Sequence, residues 1–95
     1  MPTDTQKIIE TSKETRLTPL YRVLLFNDDW NTTVHVTLSL IEIFHYEVQA
    51  AEQIMWEAHT NGVAIASRRE PLEQAEFHRD QLKAKFLTAS IEPAD

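Results

Sequence analysis

From Tyr21 onward the apolar side chains recur at spacings that divide the chain into six segments. Tyr21-Arg22-Val23-Leu24-Leu25-Phe26 is β-branched and aromatic enough for a strand, with Tyr21, Val23 and Leu25 on one face and Leu24 and Phe26 on the other. Between Thr33 and Phe44 two periods compete. Val34, Val36, Leu38 and Leu40 alternate like a strand, whereas Val36, Leu40, Ile43 and Phe44 follow helical spacing. The capping side chains Thr32 and Thr33, and the persistence of the pattern, predict a helix.

Glu47 to Thr60 reads as a second helix, because Val48, Ala51, Met55, Ala58 and His59 fall on one face among good helix formers. Gly62 is the only glycine in the chain, and its place just past this segment predicts a left-handed helix cap. Val63-Ala64-Ile65-Ala66 reads as a short second strand. Glu70-Pro71-Leu72-Glu73 starts a third helix, with acids at its positive end, Arg79, Lys83 and Lys85 toward its negative end, and a modest stripe of Leu72, Ala75, Arg79 and Leu82. Leu87-Thr88-Ala89-Ser90-Ile91-Glu92 alternates like a closing strand, which Pro93 ends. The order β-α-α-β-α-β predicts an α+β fold: a small three-stranded antiparallel sheet with three helices on one face.

Residues 1–20 break this pattern. They are rich in Thr, Lys and Glu, carry only scattered apolar side chains and end in Thr18-Pro19-Leu20, so we read them as a flexible N-terminal arm ahead of a core domain over 21–95. The arm carries three acidic and three basic side chains, leaving twelve acidic against six basic from Tyr21 onward, within a formal net charge of −6. An acidic core attracts cationic ligand groups and argues against nucleic acid, whose phosphates call for clustered Lys and Arg. No apolar run is long enough for a membrane span, no secretory signal is visible, and the absence of cysteine rules out disulfides and thiol chemistry; these features fit a cytoplasmic protein.

Several chemistries are poorly supported. One glycine leaves no phosphate-cradling loop, and Ser39, Ser67 and Ser90 lack the glycines of a nucleophile elbow. His35, His45, His59 and His78 show no His-x-x-x-His spacing, so neither a functional metal nor a cofactor is expected. His45 reads as a solvated turn residue. Two features remain. Asn27-Asp28-Asp29, directly after the first strand, offers acceptors for a cation beside apolar surface, although the same residues commonly form turns and helix caps. His59 sits near the end of the second helix, on the face of Met55 and Ala58, where a core or terminal histidine is the simpler reading.

Taken together, Tyr21 to Asp29, Met55-Trp56-Glu57-Ala58-His59-Thr60-Asn61-Gly62 and Leu87 to Pro93 resemble the ClpS family, adaptors of the Clp AAA+ protease, over about Tyr21 to Pro93. The resemblance implies a non-enzymatic reader of N-terminal degradation signals. Asn27, Asp28, Asp29 and a neutral His59 would accept from a free α-ammonium, which has three donors and no acceptor. Thr33, Val36, Met55, Ala58 and Leu87 would line a pocket for a bulky first side chain (Leu, Phe, Tyr or Trp), with Asn31 at its rim. The partners implied are N-degron peptides and the N-terminal domain of a Clp unfoldase, with Glu73 and His78 as docking residues and the arm as a further contact. Thr33 stands where many relatives carry a methionine that narrows the pocket, which implies tolerance of Ile or Val. Two alternatives stay open: a ClpS-like regulatory or assembly module without amine recognition, and an acid/base hydrolase using Asp28 or Asp29 with His59.

Overall fold

A computed structural model of the chain describes residues 19–94. Strand β1 (Leu20–Phe26) is followed by helices α1 (Thr33–Phe44) and α2 (Val48–Asn61), strand β2 (Val63–Pro71), helix α3 (Leu72–Ala84) and strand β3 (Thr88–Pro93). The sheet order is β2-β1-β3 with both pairings antiparallel, and the α+β reading holds: α2 and α3 pack on the sheet and α1 packs on those two helices. The first strand is therefore also the central one. It begins at Leu20, one residue inside the stretch assigned to the arm, and residues 1–18 lie outside those described.

The competition of periods in α1 is settled by burial. Leu40 and Ile43 are buried with Val36 and Phe44 packed against the core, whereas Val34 and Leu38 are 65% and 58% exposed. Thr32 caps the helix, its hydroxyl accepting from the His35 N–H at 3.0 Å. In α2 the stripe holds for Ala51, Met55 and Ala58, which are buried, but not for Val48 and His59, which are exposed. Gly62 ends α2 at φ 87° and donates to the Ala58 carbonyl at 2.9 Å. A Cβ there would meet nothing within 4 Å, so glycine is required by the backbone angle and not by space.

Strand β2 departs from the sequence reading. It is nine residues long and runs through Ser67-Arg68-Arg69-Glu70, where a strand of four residues was expected. The register against β1 slips between Tyr21 and Val23 and again between Val23 and Leu24, so β2 bulges while Ser67 and Glu70 still pair with Val23 and Tyr21. Glu70 consequently belongs to the strand opposite Tyr21, and α3 starts at Leu72 with Pro71 as its cap residue. Within α3, Ala75 and Leu82 are buried as predicted, but Leu72 is 40% exposed and Arg79 turns to Asp80 at 3.0 Å. Val23, Leu25, Leu40 and Leu82 are the largest fully buried side chains. Each contributes roughly 1.5–3 kcal/mol by leaving water, and the alanines of α2, β2, α3 and β3 let the layers approach closely around them.

Candidate functional site

The end of β1 and the end of α2 meet through one backbone bond, from the Asn27 N–H to the Gly62 carbonyl at 2.9 Å. Because His59 lies one turn before Gly62, this bond brings the Asn27 side chain and the His59 imidazole to the same rim. Between them opens a concavity of about 310 Å³, lined by Leu25, Phe26, Asn27, Asp28, Asn31, Thr33, Val36, Met55, Ala58 and His59. Polar groups of the β1–α1 loop and His59 form one side of it, and the apolar faces of α1 and α2 form the other.

The loop is held in shape by Asp28. Its Oδ1 accepts the Asn31 N–H at 2.8 Å and the Trp30 N–H at 3.2 Å, while its Oδ2 accepts Asn31 Nδ2–H at 2.7 Å. With three of about four acceptor positions filled, Asp28 is chiefly the loop's organiser and has room for one more donor. Asn31 also donates to the Phe86 carbonyl at 2.8 Å, and His35 Nε2 donates to the Lys85 carbonyl at 2.9 Å. The turn after α3, where Phe86 adopts φ 67°, is thereby fastened to the rim. Asn27 and His59 are exposed, and beside His59 the Trp56 ring stands nearly edge-on at 5.6 Å.

Of the residues singled out in the sequence, Asn27, Asp28, Asn31, Thr33, Val36, Met55, Ala58 and His59 line this concavity. Asp29 does not: it is exposed beside the rim and contributes no wall. Leu87 is buried in the core and is also absent from the lining. Leu25 and Phe26 were missed as lining residues because their strand pattern accounts for them as sheet positions; their place next to Asn27 was the available signal. Trp30 is 75% exposed and lies outside the concavity.

The two docking candidates separate. Glu73 is exposed on the first turn of α3, whereas the His78 side chain is largely buried and its Nδ1 bonds both Glu70 oxygens at 2.8 and 2.9 Å. The His78 ring also rests on Phe44, with centroids 4.6 Å apart. Glu70 is only 4% exposed, and this partner is what makes its burial possible. Nearby, Tyr46 donates to the Ala66 carbonyl at 2.5 Å; burial, assisted by the charge of Glu70, pushes its phenol pKa upward. Among the described residues no three His, Cys, Asp or Glu side chains are grouped to hold a metal, and no helix is long and apolar enough to cross a membrane.

Fold and site together define a small α+β binding domain with a composite hollow, polar at the rim and apolar at the wall, at the junction of the central strand and two helices. Residues 16–90 match the family described as ATP-dependent Clp protease adaptor protein ClpS. Among curated proteins, the chain is 41% identical to the ATP-dependent Clp protease adapter protein ClpS of Synechococcus elongatus over 100% of both chains. It is 37% identical to the chloroplastic adapter CLPS1 of Arabidopsis thaliana, covering 85% of this chain and 51% of that protein. Among solved structures it is similar to Agrobacterium tumefaciens ClpS2 bound to L-phenylalaninamide, with a TM-score of 0.73 and 26% identity over 79% of this chain and 96% of the other. The chain belongs to the ClpS family of Clp protease adaptors, and it is an adaptor and not an enzyme.

Proposed function

We propose that the protein captures the free α-amino group and bulky apolar first side chain of N-degron substrates and, in the cytoplasm, delivers them to a Clp AAA+ unfoldase. The observation that carries this reading is the composition of this hollow: exposed acceptors at Asn27 and His59, a partly free carboxylate at Asp28, and an apolar wall of Val36, Met55 and Ala58. An ammonium donates three hydrogen bonds and accepts none, so a rim made of acceptors matches it. Each charge-assisted bond is worth roughly 1.5–3 kcal/mol. The ligand of the Agrobacterium relative, an amide of phenylalanine with a free amine, has the same two features.

Burying a Leu or Phe side chain in the hollow adds about 1.5–3 kcal/mol, enough for roughly tenfold to hundredfold selection against a small first residue. Thr33 contributes a short wall and makes room for a β-branched first residue. Delivery calls for a second contact with the N-terminal domain of the unfoldase. Glu73 is available for it as an exposed acid, and His78 serves it by fixing Glu70 and the start of α3.

The test is a binding titration with peptides that differ only in the first residue, Leu, Phe, Ile, Val or Ser, each with a free amine. Tight binding of Leu and Phe, weaker binding of Ile and Val and none of Ser is the expected order. Indifference to the first residue would overturn the reading, and equal rejection of Ile and Val would overturn the role given to Thr33.

A further inference from the structure

Val34 and Leu38, two of the four apolar residues that gave α1 its strand-like alternation, take no part in the core. With Val48 and Trp56 of α2 they are each more than half exposed, and together they line a groove of about 460 Å³ between the outer faces of the two helices. Exposed apolar side chains scattered singly need no explanation, but four gathered in one groove do. Glu52, exposed, is the one charged residue of the lining.

This groove continues the hollow. Thr33 and Met55 line both, so each is a wall shared between them. Trp56 provides a second link, since it lines the groove and also holds its ring edge-on to His59 at 5.6 Å. A peptide whose first side chain lies against Met55 leaves the hollow as an extended strand. In that conformation side chains one and three point the same way, roughly 7 Å apart, while the second points away. Two adjoining depressions that share Thr33 and Met55 as walls suit such a pair of side chains.

We propose that the Val34–Leu38–Val48–Trp56 groove is a second subsite, which takes an apolar third residue of the substrate and makes this adaptor select a two-residue apolar pattern at the substrate's N-terminus. The inference rests on the amine-capture reading of the neighbouring hollow. It is a continuation of that ligand.

The test uses the full chain and four labelled peptides with identical tails, beginning Leu-Ser-Leu, Leu-Leu-Ser, Leu-Ser-Ser and N-acetyl-Leu-Ser-Leu. A third-position leucine half-buried in an open groove should tighten binding about fivefold to tenfold over serine. That gain should vanish in Leu38→Asp and shrink in Val34→Ser, both exposed positions at which the fold tolerates polarity, while first-residue selection persists. Amine-dependent binding indifferent to the third residue in wild type overturns this inference alone. A preference that follows the second residue overturns the assignment to the third. A concentration-dependent dimer abolished by Leu38→Asp, without any third-residue preference, gives the groove to a second copy of the chain and overturns the subsite. Equal binding of the acetylated peptide overturns amine capture and the subsite with it.

Discussion

Two polar clusters flank the sheet of this protein, and they are built on opposite terms. Around Glu70 every demand is met internally: the carboxylate is held by His78, the imidazole rests on Phe44, and Tyr46 donates to a strand carbonyl. Around Asn27 the backbone is tied to Gly62 and the loop is stitched by Asp28, yet the Asn27 and His59 side chains face solvent beside an apolar wall. The first arrangement spends its polar groups on the fold, and the second keeps them for a ligand. Residue type alone separates neither, since both clusters combine an acid with a histidine; burial and partnering do.

The contrast can be broken most forcefully at Glu70. In Glu70→Ala the largely buried His78 loses its partner, which should destabilise the fold by about 3 kcal/mol. Chemical denaturation would measure that loss, and peptide affinity of the remaining folded protein should be unchanged. A variant as stable as wild type would show that the cluster is not structural. The converse variant is Asn27→Ala, which keeps the backbone bond to Gly62 and should cost about 1.5–3 kcal/mol of peptide affinity with stability unchanged within about 0.5 kcal/mol. Gly62→Ala lies between the two. Its left-handed backbone should cost about 1–2 kcal/mol of stability and, by disturbing the anchor of Asn27, weaken peptide binding as well. Loss of stability with full affinity would show that the anchor does not set the rim.

The smallest effect belongs to Asp29→Ala. An exposed carboxylate outside the lining acts on an ammonium only through solvent, so affinity should fall by no more than about 1 kcal/mol, and less at high salt. A salt-insensitive loss of hundredfold or more would return Asp29 to direct contact.

The order of elements was legible because each announced itself locally. Thr32 before an apolar helical stripe, a lone glycine after another, and a β-branched run before Asn-Asp-Asp are signals carried by neighbouring residues. The path of β2 was not, because Ser67-Arg68-Arg69-Glu70 has loop composition and is held in the sheet by bulged pairing with β1. Glu70 was misplaced for a related reason: its burial depends on His78, eight residues later on another element, and no local pattern announces a long-range ion pair. Most of the hollow was legible once Asn27 and His59 were considered together. Nothing in the sequence separates Asp29 and Leu87 from the residues that line the concavity, since the turn of the loop and the depth of the chain before β3 decide which neighbour faces it. The double character of α1 was visible as two competing periods: the residues they share, Val36 and Leu40, go to the core, and those peculiar to the alternation, Val34 and Leu38, go to the exposed groove.

The central claim is that the rim of the hollow holds a charged amine, and a coupling measurement tests it most directly. A Leu-led peptide, free and N-acetylated, is titrated into wild type and into the Asn27→Ala/His59→Ala double variant. If the acceptors hold the ammonium, acetylation should weaken wild-type binding at least hundredfold and the double variant only a few-fold, because the charge has already lost its partners. Equal penalties in the two proteins, or undiminished binding of the acetylated peptide to wild type, would contradict amine capture and leave an adaptor that recognises its partners by another surface.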